Sequence, residues 1–290
     1  MDRKKLVSES IDYIIQHLEE ELSLDTVAAH FFISKFYFSR IFREETGETL
    51  YSFIKRCRMD QSAVDMKLNP TKAITDIGLD YGYSSSNYSS VFRKRHNTSP
   101  AMFRQSLATR SMPVPFAPDR IARFQTAEEY ASRIELLELG DFFVVYERFI
   151  GNYAELEKNW YQFLDKYKVL LREDTILAER FFNDPAITDP TQCICDICMS
   201  AEPDCGLDNV TWIKGGKWLV YHFDGEIRDI FETLQGIFSV WLPQSGCKMA
   251  QRYGLNIYHS IDRENHRVKM YVFRSEKSKN SEVGRTASSL

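Results

Sequence analysis

Apolar positions along this chain follow two rhythms. Up to about residue 107 they recur three and four residues apart: Phe38, Ile41 and Phe42 form one such group, Tyr88, Val91 and Phe92 another. That spacing places them on one face of a helix. Beyond about residue 127 the stretches "DFFVVYERF" and "KWLVYHF" are aromatic and β-branched, as strands are. The predicted fold class is therefore multidomain, all-α followed by α+β. Between the parts, "SMPVPFAPDR" (111–120) has three prolines and no hydrophobic period and reads as a linker. The expected division is a helical domain at 1–108, a linker at 109–126, an α+β domain at 127–275 and a tail at 276–290. The tail is polar and is expected to be disordered.

The helical part is written twice, at a period of 50. Ser34, Ser39, Phe42, Arg43 and Phe53 recur identically as Ser84, Ser89, Phe92, Arg93 and Phe103. Phe31 and Ile33 recur as Tyr81 and Tyr83, and Phe38 and Ile41 as Tyr88 and Val91. Each copy predicts a short helix, a tight turn and a longer helix opened by Ser34 or Ser84 as N-cap. This is the helix-turn-helix pattern. Gly82 suits a left-handed turn; its counterpart Phe32 does not, so the first turn is expected to differ. Leu50–Leu68 reads as one helix holding the two units apart.

The faces opposite the apolar stripes carry Lys35, Phe36, Ser39, Arg40 and Arg43 in the first copy, and Ser85, Ser86, Ser89, Ser90 and Arg93 in the second. Such side chains suit a major groove: Arg bonds guanine bidentately, hydroxyls reach base edges and apolar groups touch thymine methyls. Lys94 reads as a phosphate contact. The plainer alternative is a helical bundle with solvated basic faces. The repeat argues against it, because the basic, hydroxyl-rich face recurs in register with the core.

Charge sharpens the picture. The chain is −4 overall, yet residues 1–107 carry 15 Lys+Arg against 14 Asp+Glu and the remainder is net −5. The bases cluster at Arg40/Arg43, Lys55/Arg56/Arg58 and Arg93/Lys94/Arg95. A local basic face binds phosphate even on a nearly neutral domain.

The segments "LSLDTVAAHFFISKFYFSRIFREETGETLYSFIKRCRMDQSAVDMKL" and "ITDIGLDYGYSSSNYSSVFRKRHNTSPAMFR" resemble the DNA-binding domain of the AraC/XylS family over about residues 6–107. The resemblance implies that Phe36, Ser39 and Arg40 read bases in the first unit, and Ser85, Ser86, Asn87, Ser89 and Ser90 in the second. Ser90 departs from the Arg often found there.

The second part also repeats, at a period near 75: strand, Gly, amphipathic helix, then two strands. Two such halves predict a pseudo-twofold α+β unit with a groove between them. The aromatic candidates for its walls are Tyr146, Trp160, Phe182, Trp218, Trp241 and Tyr258. "FNDPAITDPTQCICDICMS", "YHFDGEIRDIFETLQGIFSVWLPQSG" and "LNIYHS" resemble the GyrI-like effector-binding domain over about 127–275. That resemblance implies a pocket for amphipathic, often cationic, small molecules, contacted by a Glu just before an "iY" pair. Here that position is Asn256, so neutral amphiphiles are expected to bind at least as well as cations. If a charge is supplied elsewhere, Glu147, Asp184 and Glu226 are the first suspects.

Cys193, Cys195, Cys198 and Cys205 tempt a zinc reading. Alternation along a strand separates Cys198 from Cys193 and Cys195, so no metal is expected. The N-terminus reads as a helix rather than a signal peptide. No apolar run is long enough for a membrane span. The expectation is a cytoplasmic transcription regulator without cofactor, whose partners are double-stranded DNA, a small amphipathic effector and RNA polymerase. The alternatives are a hydrolase, which Asn256 cannot serve as general base, and a protein-interaction module.

Overall fold

The computed structural model describes residues 2–107, 111–249, 254–262, 267–272 and 275–277. The predicted tail beyond Lys277, and residues 108–110 of the predicted linker, lie outside the described residues.

Seven helices form the first domain: α1 (Arg3–Gln16), α2 (Leu24–His30), α3 (Lys35–Thr46), α4 (Leu50–Leu68), α5 (Ile74–Asp80), α6 (Ser85–His96) and α7 (Pro100–Ser106). Their limits follow from local chemistry. The Ser23 side chain accepts from the Thr26 amide in a capping box, and Ser34 accepts from Tyr37. Gly47 and Asn97, 50 residues apart, close α3 and α6 in the left-handed conformation. Ser84 occupies the N-cap of α6, but its hydroxyl makes no capping bond, unlike Ser34. Phe38, Ile41, Phe42, Tyr88 and Phe92 are buried in one core with Leu6, Ile11 and Ile14 of α1 and Phe53 of α4. Gly78 of α5 lies so close to Tyr88 that an added Cβ would meet the ring at 2.8 Å.

The first turn corrects the sequence expectation. Phe32 adopts φ +55°, and Gly82 adopts φ +77°. The Phe32 and Ile33 amides donate to the carbonyls of Ala29 and Ala28, as those of Gly82 and Tyr83 donate to Leu79 and Gly78. The two turns thus share one geometry. The packing of α2 on α3 imposes it, and Phe32 bears a strain that glycine escapes. Its ring is 95% exposed, so burial returns nothing.

The predicted linker is likewise structured. β1 (Ser111–Val114) and β2 (Ala117–Arg123) pair as an antiparallel ribbon, and Val114 and Ala122 are buried with Phe231. Prolines masked this in the sequence; a two-stranded ribbon tolerates them because its outer edges need no partner.

The second domain adds α8 (Ala127–Ala131), β3 (Ile134–Leu139), β4 (Phe142–Ile150), α9 (Leu156–Tyr167), β5 (Leu177–Phe181), β6 (Ile194–Ser200), β7 (Val210–Ile213) and β8 (Gly216–Glu226). It continues with α10 (Ile230–Gly236), a π turn at Ile237–Trp241, α11 (Leu242–Ser245), β9 (Cys247–Met249), β10 (Gly254–Asp262), β11 (Arg267–Val272) and β12 (Ser275–Lys277). The main sheet is antiparallel, in the order β3-β8-β11-β10-β5-β6-β4-β7. That order reads alike from both ends: β4-α9-β5-β6 and β8-α10-β10-β11 are two copies of one unit, and β5 pairs with β10 at the centre. In that pair Glu179 stands opposite Asn256, with Ala178 opposite Ile257 and Arg180 opposite Leu255. The pseudo-twofold axis therefore passes through the Glu179–Asn256 pair. The edge strands β3 and β7 and the short α8 were not foreseen.

The helical core continues into the second domain through Phe182, Ile187 and Ile194. Buried ionic groups join them further. Arg148 on β4 donates to Asp12 (2.6 Å) and to the Ser8 carbonyl (2.7 Å) of α1, and grips Asp196 of β6 bidentately. Arg180 on β5 also bonds Asp196, at 2.6 Å. Lys67 at the end of α4 reaches Asp184 (2.8 Å) and Gln235 of α10, and Thr188 donates to Asp60 of α4 at 3.0 Å.

Candidate nucleic-acid interface and effector site

The exposed face of α3 presents Lys35, Phe36, Ser39, Arg40 and Arg43 together. With Leu24, Asp25 and Glu44 they line a depression of about 690 Å³. Phe36 is 81% exposed, which no core requirement explains. Lys35 is held by Asp25 at 2.8 Å, and the Arg40 guanidinium lies 5.7 Å from the Tyr37 ring centre. On α6, Ser85, Ser86, Asn87, Ser89, Ser90, Arg93 and Lys94 are all exposed. Two bases of the sequence clusters do not belong to this surface. Arg56 is 7% exposed and bonds Glu48 at 2.6 Å, and Arg95 grips Asp60 at 2.7 and 2.8 Å. Their place in the stripe was legible for Arg56, three residues after Phe53.

The seven candidates for the effector pocket do not line one wall. Alternation along the strands sends them to different faces. Trp160 of α9, Asn256 and Tyr258 converge on the face covered by the helices. Trp241 lies in the core beneath α10 with Tyr221 and Met270. Tyr146 and Trp218 lie on the opposite face with Val144 and Val220, and Phe182 belongs to the interdomain core. Tyr146 and Phe182 instead stack on Arg180 and Arg148, with centroid distances of 5.1 and 4.7 Å. Tyr146 on β4 and Trp218 on β8 occupy positions of the parity that faces away from the helices, whereas Asn256 and Tyr258 on β10 occupy the parity that faces them; the notional groove overlooked that parity.

At the point of convergence is a residue the sequence reading missed. Glu179 is 3% exposed. Its carboxylate accepts from Trp160 Nε1 (2.5 Å), the Tyr258 hydroxyl (2.7 Å) and Asn256 Nδ2 (3.2 Å). The Trp160 and Tyr258 rings meet edge to face at 5.6 Å. Among the described residues no cation is paired with it. Burial pushes the carboxyl above its ordinary value, although the three donors pull it down. Asn256 Oδ1 is buried and has no partner among the described residues. The three suspected acids are engaged elsewhere: Glu147 by Lys166 and Tyr167, Asp184 by Lys67, and Glu226 by Arg228. The missed signal was the repeat itself, since Glu179 precedes Asn256 by about one period.

The clustered cysteines are free thiols. Cys193, Cys195 and Cys198 are buried, and burial raises each thiol, Cys193 and Cys198 to about 12. Among the described residues no three His, Cys, Asp or Glu come together to hold a metal.

Comparison with known proteins agrees with this architecture. Residues 27–106 match a helix-turn-helix domain family, and residues 132–273 match the GyrI-like small molecule binding domain. Regulatory protein SoxS of Escherichia coli is 33% identical over 108 residues, which are 37% of this chain and all of SoxS. This chain belongs to the AraC family of transcription regulators. Transcriptional regulator Rob of Salmonella typhimurium is 33% identical over 107 residues, but that match spans only 37% of either chain. Among solved structures, an AraC-type transcriptional regulator from Chromobacterium violaceum is 26% identical, covering 36% of this chain and 93% of its own, with a TM-score of 0.34. The EcmrR C-terminal domain is 12% identical over 50% of this chain and 98% of its own, with a TM-score of 0.42. This AraC-family chain is thus a DNA-binding regulator with a GyrI-like domain after its helix-turn-helix units. No described helix is long and apolar enough to cross a membrane.

Proposed function

We propose that this regulator reads DNA with the exposed faces of α3 and α6 and is controlled by a small amphipathic cation bound at Glu179. The single observation carrying the effector half is the Glu179 carboxylate, buried among rings and dipoles with no cation described beside it. Such a group favours the arrival of a positive, aromatic guest: aromatic faces attract cations by about 0.5–2 kcal/mol, and the carboxylate adds its own Coulomb attraction. This revises the expectation from Asn256, because the charge comes from the facing strand. The guest displaces Trp160 and Tyr258 from the carboxylate, and α9 carries that displacement outward.

Control of DNA binding needs a differential effect on two states. β5 offers the route. Glu179 faces the effector, and the next residue, Arg180, faces the ionic cluster with Asp196 and α1. The loop after β5 carries Asp184 to Lys67, at the end of the helix that spaces the two DNA-reading units. RNA polymerase is the second macromolecular partner in this reading.

The test is titration calorimetry of the full chain with tetraphenylphosphonium and with neutral triphenylphosphine oxide. The cation is expected to bind at least tenfold more tightly, and Glu179→Gln to remove the difference. Equal binding of both compounds by the unaltered protein refutes the site. Glu179 also restores the carboxylate a hydrolase would need, but its closure from solvent favours binding. Steady turnover of reactive esters, lost in Glu179→Gln, would favour the enzymatic reading instead.

A further inference from the structure

We infer that the cleft between the two helix-turn-helix units is a phosphate seat, gripping the DNA backbone where it passes from the groove read by α3 to the groove read by α6. The inference rests on the reading of those two helices as base-contacting.

A cavity of about 240 Å³ lies there, lined among others by Tyr51, Lys55 and Arg58 of α4 and by Tyr83 and Asn87 of the second unit. Its position is fixed from both sides. Leu24 lines this cleft and also the depression on α3. Asn87 belongs to the exposed start of α6. A duplex that meets both reading faces must lay its backbone across the space between them.

The chemistry of the lining is one-sided. It holds two basic residues and no Asp or Glu, whereas the α3 depression includes Asp25 and Glu44. Other bases of the same helices are neutralised: Arg56 by Glu48 and Lys67 by Asp184 on α4, and Arg95 by Asp60 on α6. Lys55 and Arg58 form no ion pair among the described residues. Arg58 donates to the backbone carbonyls of Leu18 (2.9 Å) and Glu20 (2.5 Å). Those bonds aim the guanidinium without cancelling its charge. The Lys55 ammonium lies 6.0 Å from the Tyr51 ring centre, at the same mouth. Tyr83 is half-buried, and burial holds its phenol above the ordinary value, so at neutral pH it presents an O–H donor. Two cations and a tyrosine lining one cleft without a carboxylate suit a phosphodiester, which offers no base edge to read. The seat therefore strengthens binding to all DNA and sets the register of the two reading helices.

The experiment uses the full chain and a duplex selected from a random pool for tight binding. Lys55→Ala is expected to weaken the selected duplex and random DNA by one common factor, about tenfold at low salt, and to lower the log–log salt slope by about 1. Tyr83→Phe keeps the ring and is expected to lose several-fold on both DNAs. Neutral methylphosphonates between the two half-sites should weaken the unaltered protein and leave Lys55→Ala nearly unaffected. An unchanged salt slope in Lys55→Ala, no loss in Tyr83→Phe, or a methylphosphonate penalty equal in both proteins overturns the seat. The underlying reading fails separately: Arg40→Ala losing equally on selected and random DNA would show that α3 reads no bases, whatever Lys55 does.

Discussion

The Lys67–Asp184 contact ties α4, the helix that spaces the two helix-turn-helix units, to the loop after β5, so Asp184→Asn is the informative perturbation. Asp184 Oδ1 accepts from the Ala186 amide at 2.9 Å and from Gln235 Nε2 at 2.8 Å. An asparagine oxygen keeps both bonds, so the loop retains its turn. What changes is the second oxygen, which faces the Lys67 ammonium at 2.8 Å. It becomes an amide donor opposite a cation whose side chain is 3% exposed. Removing one partner of a buried pair costs about 3–5 kcal/mol, because the other charge stays buried. Lys67 retains the Gln235 oxygen, which places the expected loss near 3 kcal/mol.

Its pH dependence has a definite sign. Burial raises the Asp184 carboxyl, but Lys67 and the surrounding donors outweigh it and hold the group below its ordinary value. A depressed carboxyl contributes stability that is complete above the ordinary carboxylate range and is lost as pH falls through the folded value. The gap between unaltered and Asp184→Asn protein should therefore be full at pH 7 and shrink in acid. Urea unfolding of the full chain, followed by fluorescence, measures it. DNA anisotropy with and without tetraphenylphosphonium then reports coupling, and the variant should bind the cation yet no longer adjust its DNA affinity. A stability loss under about 1 kcal/mol at pH 7, with the DNA response intact, would refute the reasoning.

Two further outcomes follow from the same structure. Burial raises the Glu179 carboxyl, so the ionised form is disfavoured in the fold, and Glu179→Gln should match the unaltered protein in acid and become the more stable of the two as pH rises through the raised value; pH-resolved thermal unfolding checks this, and a gap independent of pH would contradict it. Phe32→Gly removes a left-handed non-glycine costing about 1–2 kcal/mol, partly offset by glycine's greater unfolded-state freedom, so a net gain of about 0.5–1 kcal/mol is expected in urea unfolding, and a loss would mean the exposed ring contributes something to the fold.

The repeated helices and strands were legible because both domains are duplicated. A helix with Phe38, Ile41 and Phe42 on one side can be read alone, but its recurrence with Tyr88, Val91 and Phe92 fixed the unit and its limits. Likewise α4 ran from Leu50 to Leu68 as its apolar period required. Misreadings arose where tertiary packing overrode local preference. Phe32 is left-handed because the turn between α2 and α3 demands it. The segment with Pro113 and Pro115 pairs as a ribbon because Val114 and Ala122 find a surface at Phe231. The seven pocket candidates were grouped across two faces of the sheet for another reason: aromatic content says nothing of which face of a strand a ring occupies. Only register reveals that Tyr146 and Trp218 turn away from Trp160. Ionic partners across domains, such as Asp12 with Arg148, are 136 residues apart and leave no local trace.

The central strand pair shows how a duplicated fold breaks its symmetry on its own axis. On the pseudo-twofold axis, equivalent residues face each other directly across β5 and β10, with Cβ atoms about 4.5–5.5 Å apart. Two carboxylates there, both closed from water, would repel, and one would stay protonated. Two amides would leave no charge. Glu179 facing Asn256 avoids both cases: one half supplies the charge, the other a donor that holds it and an oxygen, Oδ1, without a partner among the described residues. It also explains why the carboxylate can sit on the strand opposite to the one the family resemblance indicated. On the axis the two positions are neighbours, and either strand can deliver a carboxylate to nearly the same point.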